Sequence, residues 1–204
     1  MHRLFLAFLL ACGLAQAAAP QPPSVVGRSW MVVDLSSNQV LAAQKADERV
    51  EPASLTKIMT AYVVFQALRD KKLSAGQQVT VSERAWRAPG SRMFIRVGTQ
   101  VAVDDLIRGM VVQSGNDACI ALAEAVAGNE EVFVQMMNRE AARLGMKNTS
   151  FRNASGLPDP QHYSTAEDLY LVAAALIRDF PDYYAQYYAQ KEYRYNNITQ
   201  PNRN

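Results

Sequence analysis

Ser54 and Lys57, three residues apart in Glu51-Pro52-Ala53-Ser54-Leu55-Thr56-Lys57-Ile58-Met59-Thr60, have the types and spacing for nucleophilic chemistry. On a helix that spacing puts two side chains on neighbouring positions of one face. A serine hydroxyl needs a base within hydrogen-bond reach, and a lysine can serve if it is held neutral. Lowering a lysine from about 10.4 to about 7 costs about 4 to 5 kcal/mol, obtainable from desolvation, a helix N-terminus or a second cation. The N–H groups of a first helical turn have no partner inside the helix and suit a developing oxyanion. A second polar group, Ser114-Gly115-Asn116, follows about sixty residues later. At a tight corner between two helices it would present a hydroxyl and a carboxamide on fixed elements, which suits an amide substrate. Each has a plainer reading when taken alone: a solvated pair on a helix surface, and a turn that caps the next helix.

The elements that must hold these groups follow from pattern. Pro52 fits a first helical turn. From Leu55 the apolar residues Leu55, Ile58, Met59, Tyr62, Val63, Val64, Phe65 and Leu68 cover more than one face, which predicts a helix to about Asp70, buried on most sides. Before it, Ser29 to Asp34 and Gln39 to Ala43 read as two strands joined by a Ser36-Ser37-Asn38 turn; such a hairpin needs further strands as partners. Val79 to Val81 is a short extended piece, Ser82 caps a helical turn to Trp86, and Met93 to Val97 reads as another short strand. Helices over Val103–Val112 and Asp117–Ala127 flank the Ser114 corner. Glu130–Leu144 is an amphipathic helix with Val132, Phe133, Met136, Met137, Ala141 and Leu144 inward. Asn148 to Pro160 is a loop, Ser164 to Asp168 opens the next helix with capping-box spacing, and that helix stops at Phe180-Pro181. The tyrosines 183, 184, 187 and 188 recur at helical spacing as packing residues. Glu192–Tyr195 alternates like an edge strand, and Asn196 to Asn204 reads as a polar tail.

Composition narrows the function classes. The chain has 204 residues, 49% hydrophobic and 20% charged, enough for one domain with a sizeable core. A net charge of +2 with interspersed acids and bases gives no nucleic-acid patch. Met1 to about Ala19 has the form of a secretory signal: His2 and Arg3, an apolar run Leu4 to Ala11, then Ala15-Gln16-Ala17-Ala18-Ala19. The mature chain, from about Pro20, is therefore expected to leave the cytoplasm. Leu9-Leu10-Ala11-Cys12 also resembles a lipoprotein signal, with a very short apolar segment. After cleavage one cysteine, Cys119, and one histidine, His162, remain, too few for a zinc site of N and S ligands. No metal or other cofactor is expected. A Ser-His-Asp triad would have only His162 for its imidazole. Cys119, inside an apolar helix, is expected to be buried and inert.

Together, Ser54-x-x-Lys57 and Ser114-Gly115-Asn116 behind a signal peptide resemble the penicillin-binding serine enzymes. Ser54-Leu55-Thr56-Lys57-Ile58-Met59-Thr60, Ile107 to Ala118, Gly145-Met146-Lys147-Asn148-Thr149 to Gly156-Leu157, Tyr163-Ser164-Thr165-Ala166 with Asp168-Leu169, and Asn202-Arg203-Asn204 are similar to the D-alanyl-D-alanine carboxypeptidases of low molecular mass. The resemblance implies an α+β penicillin-binding/β-lactamase-like fold, a helical lobe with an antiparallel sheet. It implies that Ser54 is acylated by the bond between two terminal D-alanines of a peptidoglycan stem peptide, with Lys57 as proton acceptor. Ser114 would relay a proton to the leaving amine, and Asn116, with Gly115, would hold the substrate amide. β-Lactam antibiotics would acylate the same serine, and the enzyme would work in the periplasm or cell envelope. The family's third motif, Lys-Thr-Gly, is absent. This implies a truncated chain: residues 20–204 as a partial catalytic domain with the sheet incomplete, weakly folded and inactive as it stands, and a full-length protein that supplies the missing strand and associates peripherally with the membrane. The competing readings are a class A β-lactamase, which needs a glutamate that Asn153 to His162 lacks, a non-catalytic peptidoglycan-binding remnant, and an endopeptidase.

Overall fold

A computed structural model describes residues 24–202. The signal segment Met1 to Ala19 and the closing Arg203-Asn204 lie outside the described residues. The chain runs β1 (Trp30–Asp34), β2 (Gln39–Gln44), a 3-10 turn (Ala53–Leu55), α1 (Thr56–Arg69), β3 (Gln78–Thr80), α2 (Glu83–Trp86) and β4 (Gln100–Ala102). It continues through α3 (Val103–Gln113), α4 (Asn116–Ala127), α5 (Glu130–Leu144), α6 (Ala166–Asp179), α7 (Pro181–Tyr188), β5 (Glu192–Tyr195) and β6 (Ile198–Pro201). The class is α+β, as expected, with a dominant helical lobe.

α1 is the axis of that lobe. Met59, Ala61, Tyr62, Val63, Val64 and Phe65 are all buried, so successive turns bury different faces, against α3, α4, α5 and α6. A helix apolar all round is stable only when enclosed in this way. At its C-terminal end Phe65 meets Phe180, Tyr183 and Tyr187 at ring-centroid distances of 5.8, 5.0 and 5.7 Å, so Tyr183 and Tyr187 of α7 pack as expected, whereas Tyr184 is exposed.

The strands form three separate antiparallel pairs, β1-β2, β3-β4 and β5-β6, rather than one sheet. β1 pairs with β2 from Trp30↔Gln44 to Asp34↔Gln39, with an irregularity between Val32 and Val33. Its turn is held by Asp34 Oδ1, which accepts from the Ser36 N–H at 2.8 Å and the Ser36 hydroxyl at 2.6 Å. α6 covers part of β1, while Val40 and Leu41 of β2 are 53% and 60% exposed.

Four sequence expectations are corrected. The α-helix begins at Thr56, not Pro52: Ala53 has φ +46°, a left-handed residue that α-helix cannot contain, so the approach is a 3-10 turn. Met93 to Val97 is not a strand. Its backbone donors are taken instead by the buried Asp117 side chain, which accepts from the N–H groups of Met93, Phe94 and Ile95 at 3.0, 2.9 and 3.3 Å. Val132 of α5 is 39% exposed, facing away from the buried Phe133, Met137 and Ala141. The polar tail contains β6, because Asn196 and Asn197 both take positive φ (47° and 63°) and make a two-residue turn that returns the chain onto β5.

Asp117 therefore determines the path of a loop more than 20 residues away. Asp117→Asn puts an N–H₂ group among main-chain donors and is expected to destabilise the fold by about 2 to 3 kcal/mol. Urea unfolding monitored by circular dichroism checks this, and an unchanged midpoint would refute it.

Candidate active site

The 3-10 turn is forced into its shape by a neighbouring loop. The N–H of Leu55 bonds the Pro52 carbonyl at 3.1 Å and that of Thr56 bonds Ala53, which leaves the Ser54 N–H outside both bonds. Gly156, at φ +83°, passes so close that a Cβ there would sit 1.8 Å from the Ala53 carbonyl oxygen. Only glycine allows both this approach and this backbone angle. On the other side the His162 ring, buried against Phe151, bonds Thr56 Oγ1 through Nε2 at 2.9 Å. Its Nδ1 accepts the Arg152 N–H at 3.3 Å, so the proton sits on Nε2 and is donated to Thr56. Burial pushes His162 below its usual value, in keeping with a neutral structural ring.

Lys57 lies one helical turn on and is only 7% exposed. Its Nζ is 3.3 Å from Ser54 Oγ, 2.8 Å from Asn116 Oδ1 and 2.6 Å from the Ser155 carbonyl oxygen. Burial lowers its pKa below the ordinary lysine value of 10.5. The opposing influence comes from Cys119, but burial pushes that thiol up to about 12, so it is neutral at physiological pH and leaves desolvation unopposed. Of the three causes anticipated, desolvation is the main one that lowers the Lys57 pKa.

The corner between α3 and α4 supplies the facing wall. Ser114 is left-handed at φ +55°, and its Oγ is buried with no hydrogen-bond partner among the described residues. A residue held in that conformation with an unpaired hydroxyl is the pattern of a site rather than of a scaffold. Gly115 packs inward: its N–H bonds the Gly109 carbonyl at 3.1 Å, and a Cβ would meet that oxygen at 3.1 Å and the Met93 nitrogen at 3.2 Å. Asn116 turns its carboxamide under the cleft, accepting from Lys57 and donating from Nδ2 to the Pro89 carbonyl at 2.7 Å.

Ser54, Lys57 and Ser114 line one cleft of about 270 Å³, walled by Leu55, Ile58, Met110, Val111 and Tyr188. The structure thus brings Ser54, Lys57, Ser114 and Asn116 together, whereas Gly115 lies behind the corner and off the cleft. The sequence reading missed the third support, the loop at Asn153 to Gly156. Asn153 Oδ1 accepts from the N–H groups of Ser155, Gly156 and Leu157 at 3.2, 2.7 and 3.0 Å, a turn that aims the Ser155 carbonyl at Lys57. An asparagine three residues before a glycine was the available signal.

Comparison with known proteins places the chain in a family. The family model described as D-alanyl-D-alanine carboxypeptidase matches residues 16–204. The chain belongs to that family. It is 47% identical over 206 residues to the D-alanyl-D-alanine carboxypeptidase DacC of Escherichia coli K12, covering 98% of this chain and 51% of that protein. Among solved structures, penicillin binding protein 5 of Haemophilus influenzae matches with a TM-score of 0.87 and 43% identity, over 91% of this chain and 54% of that one. Penicillin-binding protein D2 of Listeria monocytogenes, solved in its ampicillin-bound form, matches with a TM-score of 0.78 and 27% identity, over 89% of this chain and 74% of that one. The family member described here thus spans about half the length of the curated relatives it matches. Its fold is that of the penicillin-binding serine enzymes.

Proposed function

We propose that Ser54 is the acylated nucleophile of a serine D-Ala-D-Ala carboxypeptidase acting on peptidoglycan stem peptides, and that β-lactams acylate the same serine. The observation that carries this reading is the set of three acceptors around a buried, desolvated Lys57. A neutral amine has two protons and one lone pair. The shorter bonds, to Asn116 Oδ1 and the Ser155 carbonyl, take the two protons, which turns the lone pair toward Ser54 Oγ. Lys57 is then oriented to accept the serine proton as Oγ attacks the carbonyl between the two D-alanines.

The Ser54 N–H, outside the bonds of its turn, supports one oxyanion contact. Ser114 lines the same cleft, and its hydroxyl, without a hydrogen-bond partner among the described residues, supports transfer of the proton to the departing D-alanine amine. Water then hydrolyses the acyl-enzyme. The ampicillin-bound Listeria relative supports the β-lactam part of the reading. The signal-like N-terminus supports work outside the cytoplasm, in the periplasm or cell envelope, by residues 20–204 as a catalytic unit. No helix among the described residues is long and apolar enough to cross a membrane. The β-lactamase reading has no support from the loop at Asn153 to His162, which contains Asp159 but no glutamate.

Incubation with a penicillin, followed by intact-mass measurement and mapping of the labelled peptide, tests the assignment. One adduct on Ser54, absent from Ser54→Ala, is expected; an adduct elsewhere, or none on a chain shown to be folded, refutes it.

A further inference from the structure

A second cleft, of about 330 Å³, runs outward from the same corner and shares Ser114 with the first. It is lined by Gly90, Arg92, Phe94, Gln113 and Gln200 among others. The first cleft is mostly apolar around Ser54, Lys57 and Ser114, whereas this one is more polar and carries an exposed arginine. The Arg92 guanidinium lies 5.4 Å from the centre of the Phe94 ring and makes no ion pair with a carboxylate of the described residues.

The loop that carries it is built to stay in place. Asp117 holds the N–H groups of Met93, Phe94 and Ile95. Gln200 Nε2 donates to the Arg92 carbonyl at 3.3 Å, and Ser91 Oγ donates to the Gln113 carbonyl at 2.5 Å. Phe94 sits at φ +69°, a costly conformation for an aromatic residue, and leaves its ring 44% exposed beneath the arginine. A buried carboxylate is thus used to hold a strained, exposed aromatic residue and an unpaired cation in a cleft that reaches Ser114. An arginine stacked on a ring has part of its freedom already lost and keeps its donor fork for a planar anion.

We propose that Arg92 is a specificity-determining residue that binds a carboxylate of the peptide substrate in this second cleft. The assignment rests on the proposed function, since it places the peptide across Ser114. Two carboxylates qualify: one on a side chain of the stem peptide, and the terminal one of the last D-alanine. The chemistry is the same, a charge-assisted and preferably bidentate hydrogen bond.

The test uses the full chain with Ser54→Ala to prevent turnover, and three peptides ending in D-Ala-D-Ala. One has both carboxylates free, one has the side-chain carboxylate amidated, and one has the terminus amidated. Binding is measured by calorimetry with and without Arg92→Ala. The free peptide is expected to bind about fivefold more tightly than one of the amidated forms, with the difference lost in Arg92→Ala, as for a partly exposed ion pair. The amidation that mimics Arg92→Ala identifies the carboxylate. Equal binding of all three peptides, a preference that survives Arg92→Ala, or no binding at all overturns the assignment. Penicillin labelling of Ser54 in the parent chain reports on the proposed function separately, so labelling with no carboxylate preference removes the role of Arg92 alone.

Discussion

Replacing Lys57 with methionine is expected to slow penicillin acylation of Ser54 by about 10²- to 10⁴-fold, the usual effect of removing a general base. Methionine has a similar length and no proton to accept, while Ser54, Ser114 and the cleft walls stay where they are. The cost to the fold has two opposed parts. Asn116 Oδ1 and the Ser155 carbonyl lose their donor, at about 1 to 3 kcal/mol for each buried acceptor left unpaired. Against this, the burial that lowers the Lys57 pKa no longer penalises a charge.

The same shift sets a pH dependence with a definite sign. The folded lysine titrates below the model value of 10.5, so between its lowered value and 10.5 the unfolded chain binds more protons. Stability attributable to this residue therefore rises with pH across that window, and the penalty is fully present below it. Acylation should rise with pH over the same lower limb as the amine becomes neutral, and Lys57→Met should flatten both profiles. Stopped-flow acylation rates and urea midpoints against pH check this; an acylation rate independent of pH in the parent would rule out Lys57 as the base.

Gly156→Ala should be among the most damaging single-methyl changes in the chain, and Gly145→Ala provides its control. Both glycines have φ +83°, so both pay about 1 kcal/mol for placing alanine in the left-handed region. At Gly145 nothing lies within 4 Å of the new Cβ, whereas at Gly156 the Ala53 carbonyl oxygen is 1.8 Å away. That contact can be relieved only by moving main chain, either of the Ser155 carbonyl that meets Lys57 or of the turn that carries Ser54. Overpacking of this kind adds about 1 to 3 kcal/mol. Thermal melts should show a drop of about 2 to 4 °C for Gly145→Ala and two to four times that for Gly156→Ala. Ser54 labelling should be slowed only in Gly156→Ala. Equal effects of the two substitutions would show that the contact does not constrain the nucleophile.

Much of the lobe was legible in the residues. α1 follows from apolar spacing alone, α3, α4 and α5 from apolar spacing and from acids or caps at their starts, and the Ser82 cap of α2 is made as its position suggests, accepting from the Ala85 N–H at 3.0 Å. Thr165 likewise caps α6, but Asp168 does not complete a capping box, since its Oδ2 accepts from the Asn148 N–H and the Thr149 hydroxyl. Local spacing names a cap; it cannot know that a distant loop will compete for the same oxygen. The strand expected at Met93 to Val97 failed for that reason too, because a side chain more than 20 residues away outbids a neighbouring strand for its donors.

The candidate site divides along the same line. Ser54 and Lys57 are neighbours across the 3-10 turn that leads into α1, and the Ser114 corner joins two helices marked by their apolar spacing, so the proximity within each pair could be read from residue type and short-range spacing. That Lys57 is desolvated, that Asn116 and the Ser155 carbonyl take its protons, and that Gly156 presses on the nucleophile turn are contacts between residues 59 to 103 positions apart. Side-chain type and periodicity carry no information about such pairs. Whether a lysine is a solvated cation or an oriented base is a property of its surroundings, and those exist only once the helices have packed.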